Sequence, residues 1–177
     1  KWAVIHPVQD ATHGGYDYKR DIEYNHMVYG GAIELAEKLG VGIVFENLAD
    51  IDEKRRYCSA AEELAELIDS YGSPNVRACW DFGHGNRTYK NQIQAIRHIG
   101  KRLKATHVDD NFGEVDFHFL PYLGNIDWAQ IMKTLTEIEY DGDFTYEIRL
   151  NKRMPDSLKL AAARFAVRVG RHLISLA

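Results

Sequence analysis

Short apolar runs alternate with longer stretches of helical periodicity along this chain, and that alternation limits its fold more than any other feature. The predicted strands are Trp2–Ile5, Gly42–Glu46, Val76–Asp81, Ala105–Val108 and Asp143–Ile148. A helix pattern runs from about Asp21 to Leu39, with Val28, Ala32, Leu35 and Leu39 at helical spacing as its inward stripe and Gly40 or Gly42 closing it. The next helix has Ser59 as a cap, Glu62 completing a capping box, Leu64, Leu67 and Ile68 as the buried stripe and Gly72 as the stop. Ile93, Ile96 and Ile99 mark a third helix. A fourth opens at Asp127 with Ile131 and Leu135 inward, and a last one runs from about Pro155 to Leu176. Strand–helix alternation of this kind builds βαβ units around a parallel sheet. No Gly-x-Gly-x-x-Gly turn follows any strand, which disfavours a dinucleotide-binding domain.

Neither linker nor low-complexity segment divides the 177 residues, so residues 1–177 read as a single domain; 45% are hydrophobic and 27% charged, ordinary for a soluble globular chain. A formal net charge of −4 gives no footprint for a polyanion or a membrane surface. The basic runs Lys101–Arg102–Lys104 and Lys152–Arg153 read as solvated faces. No apolar stretch approaches a membrane span and no signal peptide is visible. Two cysteines, Cys58 and Cys79, cannot build a disulfide framework, so a reducing cytoplasm is the expected location. The chain opens at Lys1 and enters a strand almost at once, so the expectation is that its true start lies upstream.

The polar residues at the strand ends carry the chemistry. Glu46, Asp81, His107 and Glu147 each fall at the C-terminal end of a predicted strand. Side chains alternate across a strand, so each shares its face with Val44, Cys79, Ala105 or Thr145. The opposite face carries Phe45, Trp80, Thr106 and the set Phe144, Tyr146 and Ile148, and in a β/α barrel that bulky face belongs under the helices. The four polar groups then point into the barrel mouth, where such folds place their active sites. A lone carboxylate at a strand end is often only a helix cap. Four with one parity are hard to explain that way, and three carboxylates with one imidazole would repel one another without a cation. Oxygen-rich ligation with one nitrogen suits Mn²⁺, Mg²⁺, Co²⁺ or Zn²⁺. Arg149, two residues beyond Glu147, shares its face and is placed to bind a substrate oxygen or phosphate, or to neutralise the carboxylates.

The runs Val44-Phe-Glu46-Asn, Cys79-Trp-Asp81-Phe-Gly-His84, Thr106-His107-Val-Asp-Asp-Asn111, Leu120-Pro-Tyr-Leu-Gly-Asn-Ile-Asp-Trp128 and Tyr140-Asp-Gly-Asp-Phe-Thr-Tyr-Glu147 resemble, in order, signatures of the xylose-isomerase-like TIM barrels. That superfamily includes sugar isomerases and epimerases, inosose dehydratases and the endonuclease IV group. The resemblance implies an α/β fold, a (β/α)8 TIM barrel of which about five of eight βα units are present. The remaining strands would come from elsewhere in the polypeptide or from another chain, in the second case as an assembly of copies. It implies that Glu46, Asp81, His107 and Glu147 are metal ligands, that Glu46 and Glu147 also exchange protons with substrate, and that His84 contacts a substrate oxygen. His6 follows a strand as a zinc ligand does in the endonucleases. Asp116-Phe-His118 reproduces the Asp-x-His spacing that, with a histidine at the place of His84, holds a further zinc there. The other reading of His6, Asp116 and His118 is a loop that orders the substrate lid. One departure stands out: the family's Gly-x-Gly before Ile-Asp-Trp is here Tyr122-Leu-Gly124, without its first glycine.

The leading expectation is a divalent-metal-dependent isomerase or epimerase acting on a sugar, sugar phosphate or polyol by proton transfer between two glutamates. A dehydratase or lyase on a sugar or inositol derivative uses the same proton abstraction. A zinc-dependent endonuclease at abasic DNA would need a basic surface to neutralise phosphates, and the net charge gives little support for one.

Overall fold

The computed structural model describes residues 1–9, 16–51, 54–89 and 91–177; the loop through Gly14–Gly15, which the sequence leads one to expect after the first strand, lies outside the described residues. Five strands pair in parallel and in chain order: β1 (Trp2–Ile5), β2 (Gly42–Glu46), β3 (Val76–Asp81), β4 (Leu103–Val108) and β5 (Asp143–Tyr146). The crossovers run through α1 (Tyr18–Lys38), α2 (Ala61–Ser70), α3 (Phe82–Thr88) with α4 (Ile93–Ile99), and α5 (Trp128–Glu137), and α6 (Asp156–Ile174) follows β5. Among the described residues β1 and β5 form the two edges, so the strands make the open wall of an incomplete TIM barrel.

The core sits between this wall and the helices. All five residues of β2 are buried, as a parallel strand covered on both faces requires. Phe45 stacks on Tyr71 outside the wall, and Trp80 donates its indole N–H to Gln92 Oε1 at 2.7 Å. Leu64, Leu67 and Ile68 of α2, Ile96 and Ile99 of α4, and Ile131 and Leu135 of α5 are all buried against the sheet. Each such side chain contributes about 1.5–3 kcal/mol by leaving water. The edge strands β1 and β5 are only partly covered. Among the described residues no helix is long and apolar enough to cross a membrane.

Two expectations fail locally. The inward face of α1 is Asp21, Asn25, Ile33 and Ala36, whereas Val28, Ala32, Leu35 and Leu39 are exposed. Asn25 turns the helix this way: buried, it accepts from the Val8 N–H at 2.9 Å and donates to the Val8 carbonyl at 2.7 Å. Two offset apolar stripes share this helix, and periodicity alone does not tell which one meets the sheet. The capping box at Ser59 and Glu62 does not form either. Helix α2 starts after Ala60 with no side-chain cap, because the Ser59 hydroxyl donates to Asp50 Oδ1 at 2.7 Å instead. Glu63 reaches back in place of Glu62 and accepts from the Cys58 N–H at 2.9 Å.

Helix α3 has no sequence signal of its own, since two glycines in seven residues make a poor helix. It forms because the Asp81 side chain caps it and because its glycines allow close packing. A Cβ on Gly83 would lie 2.4 Å from Asp109 Oδ2.

Candidate metal centre

Strands β2 to β5 each bring one candidate ligand to the same end of the wall. Register pairs Glu46 with Cys79 across β2 and β3, and Asp81 with His107 across β3 and β4, while Glu147 stands just past β5 with its N–H on the Val108 carbonyl at 3.2 Å. One ligand atom from each of Glu46, Asp81, His107 and Glu147 lies within 4.8 Å of all the others. Glu46 Oε2 is 3.2 Å from His107 Nδ1 and 3.3 Å from His6 Nε2; Glu46 Oε1 is 3.4 Å from His84 Nδ1. His107 Nδ1 is also 2.9 Å from Glu147 Oε2. None of the His107 contacts has hydrogen-bond geometry, and this nitrogen is buried without a hydrogen-bond partner. Asp81 Oδ2 is buried and unpartnered as well.

These orphaned atoms fit a cation. Spacings of this size suit ligands that each sit about 2.0–2.4 Å from one shared ion. The electrostatics agree. Burial, with Glu46 nearby, pushes the Asp81 carboxyl up to about 7. Burial works in the same direction on Glu46, but the imidazoles of His107, His6 and His84 override it and hold Glu46 well below the usual carboxylate range. His107 is driven up by Glu46 and Glu147 despite its burial. A buried cluster that holds its charges only by borrowing protons is one that a divalent ion relieves.

Beside it lies a second cluster. An antiparallel bridge between Asp110 and Phe119 folds the β4–α5 loop back over the strand ends. His118 Nε2 lies 2.9 Å from Asp116 Oδ2, and His84 Nε2 lies 3.6 Å from the same oxygen. His118 Nδ1 bonds the Glu147 carbonyl at 2.8 Å and approaches Asp109 Oδ2 at 3.6 Å. His118 adopts φ 51, a left-handed conformation unusual for a side chain with a Cβ, and this sets its ring between the two carboxylates. Burial followed by the nearby Asp81 charge pushes Asp109 up to about 8. Asp116 and Glu46 hold His84 cationic, up to about 11, against the pull of its burial.

The structure thus brings Glu46, Asp81, His107, Glu147, His84, His6, Asp116 and His118 to one end of the wall. Arg149 hangs from this group by its backbone, donating to the His118 carbonyl at 2.9 Å, and its exposed guanidinium helps keep Asp116 ionised. Sequence reasoning missed Asp109 as a site residue, although it shares the parity of His107 two residues earlier. It also missed Asp110, whose carboxylate binds the loop together and leaves no periodic trace.

The sequence model of the xylose isomerase-like TIM barrel family matches residues 2–165. A D-psicose 3-epimerase of Enterocloster bolteae is 33% identical over 84 residues, covering 48% of this chain and 26% of that protein. In structure, a D-psicose 3-epimerase from Clostridium cellulolyticum, solved with D-tagatose, superposes with a TM-score of 0.78 at 20% identity over 97% of this chain and 64% of that one. The IolI protein, solved with a bound zinc atom, superposes with a TM-score of 0.77 at 21% identity, covering 99% and 63%. The chain spans between 26% and 50% of the length of the curated relatives it matches.

Proposed function

Because this chain belongs to the xylose isomerase-like TIM barrel family, we propose that it carries the metal centre and the proton-transfer pair of a sugar or polyol epimerase. The observation that carries this reading is the pair of buried, unpartnered atoms, Asp81 Oδ2 and His107 Nδ1, facing two glutamates. Similarity to D-psicose 3-epimerase and fructoselysine 3-epimerase supports the reaction class. Glu46, Asp81, His107 and Glu147 would hold a divalent ion, with Mn²⁺, Mg²⁺, Co²⁺ and Zn²⁺ all compatible with the donor set. Such an ion, when bound, polarises a carbonyl and the neighbouring hydroxyl and so acidifies the C–H between them.

The chain's own residues do the rest. Glu147, with 45% of its side chain exposed, is the carboxylate open to substrate, and Glu46, 3% exposed, is its partner. One takes the proton from the carbon beside the carbonyl and the other returns a proton to the opposite face, so each turnover exchanges their protonation states. His84 is fixed by a 2.9 Å bond from Nδ1 to the Asn47 carbonyl, so its Nε2, 3.6 Å from Asp116 Oδ2, is the nitrogen that would donate to a substrate oxygen. Arg149 and His6 stand at the exposed rim, and His118 orients the Glu147 backbone from behind. The free buried cysteines Cys58 and Cys79 suit a reducing compartment such as the cytoplasm. Closing the barrel requires strands that pair with β1 and β5, from the same polypeptide or from another chain.

The test is solvent deuterium. In D2O with Mn²⁺ or Co²⁺, the protein should place deuterium at one carbon of a ketose, and loss of a neighbouring hydroxyl in the same assay would move the reading to a dehydratase. A second reading, hydrolysis of abasic DNA, rests on the His84, Asp116 and His118 cluster as an added zinc site. Cleavage of abasic DNA without exchange into any ketose or polyol would favour it.

A further inference from the structure

The functional reading leaves Cys79 unused, although its position is unusual for a mere core residue. It lies on the inward face of β3 two residues before Asp81, hence one layer deeper in the wall. It is fully buried, its thiol is free, and its register neighbours are Glu46 on one side and Ala105 on the other. Its Sγ lies within 4.8 Å of ligand atoms of both Glu46 and His107, and those two atoms lie within 4.8 Å of each other. His107 Nδ1, a buried atom without a hydrogen-bond partner, is left over for a cation within this group.

We propose that the centre holds ions in two ways: hard ions on Glu46, Asp81, His107 and Glu147, and thiophilic ions one layer deeper on Glu46, Cys79 and His107. This inference rests on the metal-centre reading above and adds a rule of metal selectivity to it. Thiolate is a soft ligand that favours Zn²⁺, Co²⁺ and Cd²⁺ over Mg²⁺ and Mn²⁺. As the metal–sulfur bond forms, the thiol proton leaves to solvent, together with the proton that the carboxylates hold on His107. An ion drawn toward Cys79 moves away from Glu147, the ligand nearest the open mouth. Thiophilic ions therefore bind more tightly than Mn²⁺ and support less turnover, so the metal supply sets the activity.

Cobalt spectroscopy on the metal-stripped protein tests this without any turnover. Bound Co²⁺ should show a near-ultraviolet thiolate-to-cobalt charge-transfer band that disappears in Cys79→Ser and persists in Cys58→Ser. Cys79→Ser should weaken Cd²⁺ binding by about tenfold or more and leave Mn²⁺ binding within about twofold. The cadmium-113 resonance of the unsubstituted protein, read in the range of thiolate ligation, supports the proposal even where Cys79→Ser folds poorly. Co²⁺ bound with only visible ligand-field bands, or a cadmium resonance in the oxygen and nitrogen range, overturns the Cys79 proposal and leaves the four-ligand centre standing. No Co²⁺ retained in equilibrium dialysis overturns both.

Discussion

Asp81 gives one carboxylate oxygen to the backbone N–H of His84, 2.6 Å away, and keeps the other buried and unpartnered, 4.0 Å from His107 Nδ1. One side chain therefore caps α3 and faces the candidate metal position. The reading of a strand-end carboxylate as a helix cap holds for one oxygen, and the other is left for the proposed ligand role.

That division predicts a stability trade. In the metal-free protein burial raises Asp81 to about 7, above its ordinary value. A carboxyl raised in the folded state contributes stability below its unfolded pKa, and that contribution is lost as pH rises through the folded value. Asp81→Asn keeps an oxygen for the His84 N–H and removes the charge. At pH 8 with metal chelated, the variant should be more stable than the parent by about 1–3 kcal/mol in urea unfolding, with the gain fading toward pH 4. Added Mn²⁺ should stabilise the parent and not the variant. A variant less stable than the chelated parent at pH 8 would mean that Asp81 is structural only.

Glu147→Gln removes a carboxylate from the exposed side of the site while keeping its shape. Deuterium exchange into a ketose should fall by at least about a hundredfold, the usual contribution of a positioned acid or base. Ligand binding, measured by calorimetry, should remain detectable. Unchanged exchange would remove Glu147 from the proton-transfer pair.

Asp110 holds the loop that carries Asp116 and His118. Its two oxygens accept from the N–H groups of Asn111 at 2.9 Å, Ile126 at 3.2 Å and Tyr122 at 2.9 Å, and from the Trp128 indole at 2.9 Å. Asp110→Ala leaves these donors buried and unmet, so it should cost about 3 kcal/mol, and Asp110→Asn about half of that. Equal losses for the two variants would show that shape rather than hydrogen bonding matters here.

Tyr122 stands where the family resemblance leads one to expect glycine, and it adopts φ 73. A Cβ in the left-handed region costs about 1 kcal/mol or more, so Tyr122→Gly should be more stable than Tyr122→Ala by about that amount. Both lose the same contact with His172, which isolates the backbone effect. Equal stabilities would place the strain elsewhere in the loop.

Much of this was legible from the residues. The bounds of β2 and β3 follow from short, mainly apolar runs ending in a carboxylate, and side-chain parity alone turns Glu46, Asp81 and His107 to one side. Local patterns failed where tertiary partners intervened. Asn25 turned α1 away from its most regular apolar stripe, Asp50 took the Ser59 hydroxyl from α2, and Asp81 made a helix of a glycine-rich segment. Loop geometry was the least legible: nothing in the spacing of Asp109, Asp116 and His118 reveals the Asp110–Phe119 bridge that brings them together.

Anomalous diffraction from crystals of the protein grown with Mn²⁺ tests the central claim most directly. The account predicts a single strong peak about 2.0–2.4 Å from oxygen atoms of Glu46, Asp81 and Glu147 and a nitrogen of His107. A map with no peak among these four side chains, at a Mn²⁺ concentration that saturates binding in solution, would contradict it.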